Sequence, residues 1–256
     1  MLFVALLSVL AGCTSMRAMS SREIRIYGDE AFHREAYQRA IAFYEELERR
    51  GKASAEVTAR AAIAYDQLHK PELARAKFEA ALERNPDLAI ARLYLADIAL
   101  REGQLEGAER QLEQLDESKL SQHDRVVANT IRGSILMHRD NPAQAVVAYG
   151  RAIDLGRRSP SATRHYLDAL EGAAGAYYRL GMFDRAADLY TELVSAKQAA
   201  REPVTENDHY TLGVLHYLRG DFEAARAELG QVSAERRARA AEVLNDDTFF
   251  QQDNAG

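Results

Sequence analysis

The sequence predicts an all-α protein built of stacked helical hairpins, and three observations carry that expectation. The chain of 256 residues is rich in Ala, Leu, Glu and Arg, with five Pro and no Trp, a mixture of strong helix formers. Alanine recurs in one structural role: from Ala40 to Ala74 to Ala108 the spacing is 34 residues each time, and it then runs 37, 41 and 39 to Ala145, Ala186 and Ala225. Turn-forming residues fall between the periodic segments, at Asn85-Pro86, Gly103, Asp140-Asn141-Pro142, Gly181 and Gly220.

The unit beginning at Ala59, "ARAAIAYDQLHKPELARAKFEAALERNPDLA", shows the pattern in full. Ala62 and Tyr65 belong to a first helix, Ala74, Phe78 and Ala81 to a second, and Asn85-Pro86 stops it. Alanine at position 74 lets two helices approach closely, where a bulky side chain would overpack the contact. Four residues after each such alanine stands Tyr44, Phe78, Leu112, Tyr149, Tyr190 or Leu229, on the same helical face and hence in the core. Small residues also mark the first helices, at Gly28, Ala96, Gly133, Ala174 and Gly213.

This unit resembles the tetratricopeptide repeat, a helical pair with a period of 34 residues. The resemblance implies a right-handed α-solenoid over 21–245, with about six hairpins at 21–54, 55–88, 89–122, 126–159, 167–200 and 206–239. The stretch "SAERRARAAEVLNDD" is amphipathic, with Ala234, Ala238, Ala241 and Leu244 near one face, and reads as a C-terminal capping helix that hides the last apolar surface. Residues 246–256 read as a flexible tail.

Before the repeats lies a different kind of segment. Leu2 to Leu10 is a run of nearly pure hydrocarbon, about 13 Å long as a helix against a bilayer core of about 30 Å, so it cannot span. A short apolar run followed by small residues has the order of a cleavable secretory signal. Leu10-Ala11-Gly12-Cys13 resembles the lipobox of bacterial lipoproteins. That resemblance implies that 1–12 is a signal peptide, that Cys13 carries the lipid, palmitate included, and that 13–20 is a lipidated linker. Thr14 after the cysteine, in place of Asp, implies the outer membrane with the chain facing the periplasm. One feature departs from the pattern, because the first basic residue, Arg17, follows the cysteine. A single cysteine allows neither an internal disulfide nor a multi-thiolate metal site.

Reactive constellations are few in this sequence. The net charge of -6 and the lack of a long basic block argue against nucleic acid. There is no His-Glu-x-x-His and no Gly-x-Ser-x-Gly, and Gly51-Lys52 has Glu46 where a phosphate loop needs glycine. His209 and His216 are seven residues apart but have no nearby third ligand. The pairs Glu45-Glu46 and Arg157-Arg158 read as solvated charge. No catalytic residue, metal site or cofactor is expected.

The expected working surface is the concave groove lined by the first helix of each hairpin. There the sequence places Leu93, Asp97 and Leu100, then Thr130, Ser134 and Met137, then Gly175 and Tyr178, and finally Tyr210, Val214 and Tyr217. The Lys, Arg and Asn set with which some tetratricopeptide proteins grip a C-terminal carboxylate is absent, and the surface grows more aromatic toward the C-terminus, which suits an apolar helix or extended peptide. Tyr210 and Tyr217 are either groove residues or covered by the capping helix, whereas Tyr178 lies further from the end. In plan the chain is similar to small tetratricopeptide lipoproteins that help assemble outer-membrane barrels or the secretin and pilus machinery. The expected function is a non-enzymatic, membrane-anchored scaffold for envelope proteins or peptides. The alternative is a periplasmic adaptor that regulates or recruits a cell-wall hydrolase or protease.

Overall fold

The computed structural model describes residues 16–158 and 163–246, so the signal segment, Cys13 and the tail beyond residue 246 lie outside the described residues. These residues fall into two compact units that divide between Leu120 and Ser121. The first unit holds α1 (Ser21–His33), α2 (Tyr37–Arg49), α3 (Ala55–Gln67), α4 (Pro71–Arg84), α5 (Ala89–Arg101) and α6 (Leu105–Glu113), paired as three hairpins, and then a 3-10 turn at Glu117–Lys119. The second holds α7 (Gln122–His138), α8 (Pro142–Gly156), α9 (Thr163–Arg179), α10 (Phe183–Ala199), α11 (Glu206–Leu218) and α12 (Phe222–Leu229) as three more, followed by α13 (Ala234–Leu244). Among the described residues there is no strand.

The alanine positions explain why the helices pair. Ala40, Ala74, Ala108, Ala145, Ala186 and Ala225 expose no surface at all, and the large residue four positions on is buried in every hairpin. The facing helix supplies a residue with little or no side chain. A Cβ built on Gly28 would stand 2.8 Å from Tyr44, and one on Gly213 2.6 Å from Leu229. Tyr149 is gripped from two sides, since a Cβ on Gly133 of α7 would lie 2.5 Å from its ring and one on Gly172 of α9 2.3 Å.

Each hairpin turn contains one residue with positive φ, five positions before its alanine: Glu35, His69, Gly103, Asp140, Gly181 and Gly220, with φ of 58°, 55°, 76°, 55°, 72° and 87°. The next residue donates its N–H to the carbonyl five positions back, as from Lys70 to Tyr65 at 3.0 Å and from Met182 to Tyr177 at 2.9 Å, which closes the first helix in a left-handed C-terminal cap. Glycine meets this need in three hairpins, while Glu35, His69 and Asp140 carry a side chain in a region that disfavours one. His69→Gly, at an exposed turn, relieves about 1–2 kcal/mol of left-handed strain against about 0.4–1 kcal/mol of added unfolded-state entropy. The expected outcome is a gain of about 0.5 kcal/mol, read as a higher urea midpoint at unchanged slope.

Several starting points differ from the sequence expectation. The fourth hairpin begins at Gln122, not 126, because Ser121 and Asp124 form a reciprocal capping box that starts α7 early. Helix α9 begins at Thr163 rather than 167. Ala234 and Ala238 are exposed, and α13 docks instead through Ala240 and Ala241, which are buried, and Leu244. Buried Val232 and the bond from Ser233 N–H to Glu206 Oε1 at 2.6 Å set the entry of α13 and hence its rotation. The two charged pairs are not simply solvated. Arg157 binds Glu192 through two bonds of 2.9 and 2.7 Å and Tyr166 adds a third at 2.6 Å, which ties α8 and α9 to α10. Glu46 accepts from Arg49 and Arg50, and the Arg49 bond first of all holds its carboxyl down at about 2.

Candidate functional site

In the second unit the first helices of two successive hairpins face a common pocket. On α9 the residues Glu171, Ala174, Gly175 and Tyr178 follow the i, i+3, i+4, i+7 spacing of one helical face, and on α11 the pairs Tyr210–Val214 and Thr211–Leu215 each repeat after four residues, one turn apart. The small pair Ala174 and Gly175 leaves space between them, and a Cβ built on Gly175 meets nothing within 4 Å. The result is a pocket of about 330 Å³, with Tyr190 of α10 and Val243 of α13 completing its walls. Tyr178 is 44% exposed and Val243 56% exposed, so apolar surface there remains open to solvent.

A polar network supports the pocket from behind. Asp208 is buried, and its carboxylate accepts from Lys197 Nζ at 2.6 Å, from Thr205 N–H and Oγ1 at 2.7 Å each, and from the Tyr190 hydroxyl at 3.3 Å. Burial raises the Tyr190 hydroxyl far above its ordinary value, so it stays a donor. Glu171 keeps an exposed outer edge, yet desolvation by its surroundings raises its carboxyl pKa, an effect that Lys197 opposes and Asp168 and Asp208 reinforce.

Of the groove residues expected from the sequence, Gly175, Tyr178, Tyr210 and Val214 come together here. Tyr210 satisfies both readings at once: it lines the pocket and also lies under Arg236 of α13, whose guanidinium is 5.9 Å from its ring centre. Tyr217 is instead engaged by the chain itself, donating to Asp246 at 2.6 Å and meeting Phe222 edge-on at 5.3 Å.

The middle repeats require correction. Leu93 is entirely buried, Asp97 is buried and pairs with Arg101 at 3.1 Å, and Leu100 is half-buried, because α5 is apolar nearly all round and packs against α3, α4 and α6. Thr130 is buried and donates to the carbonyls of Val126 and His165 at 2.9 and 3.1 Å. Ser134 shares a hydrogen bond with the Tyr149 hydroxyl at 3.0 Å, and Met137 packs on the core of the unit. Leu93, Asp97 and Thr130 are thus core residues, whereas Leu100, Ser134 and Met137 keep part of their surface exposed. Sequence reasoning missed Glu171, Thr211, Tyr190 and Val243. The spacing from Glu171 to Tyr178 was a usable signal for the first, whereas Val243 depends on the rotation of α13.

His209 and His216 point to different partners, Glu228 at 2.7 Å and Asp221 at 3.9 Å. Among the described residues no group of three or more His, Cys, Asp or Glu is placed to hold a metal ion, and no helix is long and apolar enough to cross a membrane.

Comparison with known families and structures agrees with this geometry. Residues 60–118, in the first unit, and residues 168–196, in the second, match the tetratricopeptide repeat family, so the chain carries tetratricopeptide repeats. No curated protein matches the sequence. The fold is similar to that of PilF from Pseudomonas aeruginosa, at 16% identity and a TM-score of 0.63 over 92% of this chain and 96% of that one. It is also similar to PilW, described as a widely conserved type IV pilus biogenesis factor, at 18% identity and a TM-score of 0.54 over 77% and 89%. A third similar structure is YrrB, described as a tetratricopeptide protein with an unusual peptide-binding site, at 16% identity and a TM-score of 0.51 over 82% and 97%.

Proposed function

We propose that this chain is a non-catalytic scaffold lipoprotein, held at the outer membrane by a lipid on Cys13 and facing the periplasm, that binds protein segments during assembly of a pilus or secretin complex. The observation that carries the binding role is the aromatic pocket between α9 and α11, at which Tyr178 and Val243 keep apolar surface open to solvent. The likeness in fold to PilF and PilW favours pilus machinery over other envelope assemblies. The anchor rests on Leu10-Ala11-Gly12-Cys13 after an apolar run. One acyl chain gives only marginal membrane binding, and each buried methylene adds about 0.8 kcal/mol, so a multiply acylated cysteine holds the chain firmly.

Two measurements test this. Cys13→Ser is expected to release the protein into the soluble fraction, and a variant that still sediments with outer membranes at high salt disproves the anchor. Affinity purification from detergent-solubilised membranes is expected to recover secretin or pilus components; recovery of a cell-wall hydrolase or protease instead would identify the chain as an adaptor for that enzyme.

A further inference from the structure

The pocket in the second unit has the chemistry of a cation site. Tyr178 and Tyr210 stand in its walls, Tyr190 backs it, and Glu171 is the carboxyl on its lining. Among the described residues Glu171 makes no hydrogen bond or ion pair, since Lys197, the cation that acts on it, is bound to Asp208 at 2.6 Å. Asp168, on the same helix, adds a second negative charge nearby. An unpaired carboxylate at the mouth of an aromatic pocket favours a ligand that brings a positive charge and donates to it. Aromatic faces beside it attract the same kind of ligand through their negative quadrupole.

The geometry points to a pocket for one lysine or arginine side chain of a partner protein, with its cationic head beside Glu171, its flank on Tyr178 and Tyr210, and its methylenes on Ala174, Val214 and Leu215. This rests on the scaffold reading and names the partner's chemistry, a basic segment with apolar neighbours. The volume of about 330 Å³ suits a single long side chain better than a whole helix. An acidic segment would meet Glu171 with like charge, and a purely apolar one would cover the Glu171 carboxyl without a partner.

The test is an NMR titration of the purified full chain with the peptide acetyl-Ala-Leu-Lys-Leu-Ala-amide and with counterparts carrying Arg, Gln or Glu in place of Lys. The Lys and Arg peptides are expected to bind at least about tenfold more tightly than the Glu peptide and to shift the methyl signals of Val214 and Leu215. Glu171→Gln, which removes an unpaired charge, is expected to weaken the Lys peptide about five- to tenfold at an unchanged melting temperature. Equal binding of the Lys, Gln and Glu peptides, no binding of the Lys peptide at all, or full retention of it by Glu171→Gln each overturns the proposal. If Glu171→Gln loses the Lys peptide while the wild type recovers no envelope protein, the cation pocket stands and the scaffold reading falls. If the wild type recovers pilus components and Glu171→Gln recovers them equally without any Lys-peptide preference, the reverse holds.

Discussion

Phe78→Ala is expected to cost about 3–5 kcal/mol, a large share of the roughly 5–15 kcal/mol that holds a domain folded. Phe78 exposes no surface and stacks on Tyr94 with ring centres 5.4 Å apart and planes at 19°, which joins the second hairpin to the third. Its neighbours Ala59, Ala62, Ala74, Ala81 and Ala91 are small and sit on helices already in contact. Alanine has no side chain that swings into the vacated space, and the larger members of the cluster, among them Tyr94, Leu95 and Ile98, are themselves buried and packed, so much of the cavity persists. Urea denaturation followed by circular dichroism is expected to show a much lower midpoint at unchanged slope. Phe78→Leu, which keeps most of the volume, is expected to lose less than about 1.5 kcal/mol. A Phe78→Ala variant within 1 kcal/mol of wild type would refute the close-packed hairpin.

Lys197→Ala carries the second large effect, about 3 kcal/mol at neutral pH. Lys197 lies on α10 and the buried Asp208 on α11, so their bond ties the fifth hairpin to the sixth. Removing the lysine leaves a buried carboxylate with only Thr205 and Tyr190 as donors. In the wild type, desolvation pushes the Asp208 carboxyl up, but the bonds from Lys197 and Thr205 outweigh it and hold its pKa below the ordinary aspartate range. A carboxyl lowered by folding contributes its stability in full above its unfolded pKa and loses it as pH falls through the lower folded value. In Lys197→Ala the desolvation is no longer opposed by the lysine, so Asp208 takes up its proton at higher pH and the difference from wild type closes as the solution is acidified. Thermal melts of both proteins from neutral pH to about pH 3 check this. Equal melting temperatures at neutral pH would show that the pair is inert. Lys197→Met combined with Asp208→Asn is expected to recover part of the loss, because no uncompensated charge then remains.

Much of the fold is legible in particular residues. Ala40 through Ala225 and the large residue four positions after each are local in sequence and each answers one steric question, how near two helices come, so their burial follows from the spacing alone. Gly103, Gly181 and Gly220 are legible for the same reason, since a left-handed turn favours a residue without Cβ. Glu35 and His69 occupy the same turn position with no such signature, and only the period places them, whereas Asp140 is marked by the turn residues Asp140-Asn141-Pro142. The binding surface was legible by halves. Gly175, Tyr178, Tyr210 and Val214 were recognised through helical spacing, while Leu93 and Thr130 have the same register in their own hairpins and are buried.

The difference has a physical cause. The pairing of the helices into hairpins and the face on which each hairpin partner packs follow from the chain alone, α13 excepted, because they depend on side-chain volume at a period of 3.6 along one helix. Which first-helix faces stay open depends on contacts made across the fold. Thr130 is closed by the carbonyl of His165, 35 residues away, Tyr217 is held by Asp246, and Tyr210 and Val243 become a pocket wall only because Val232 and Glu206 set the rotation of α13. Each of these is a contact between segments far apart in the chain, and no periodicity within either segment encodes it.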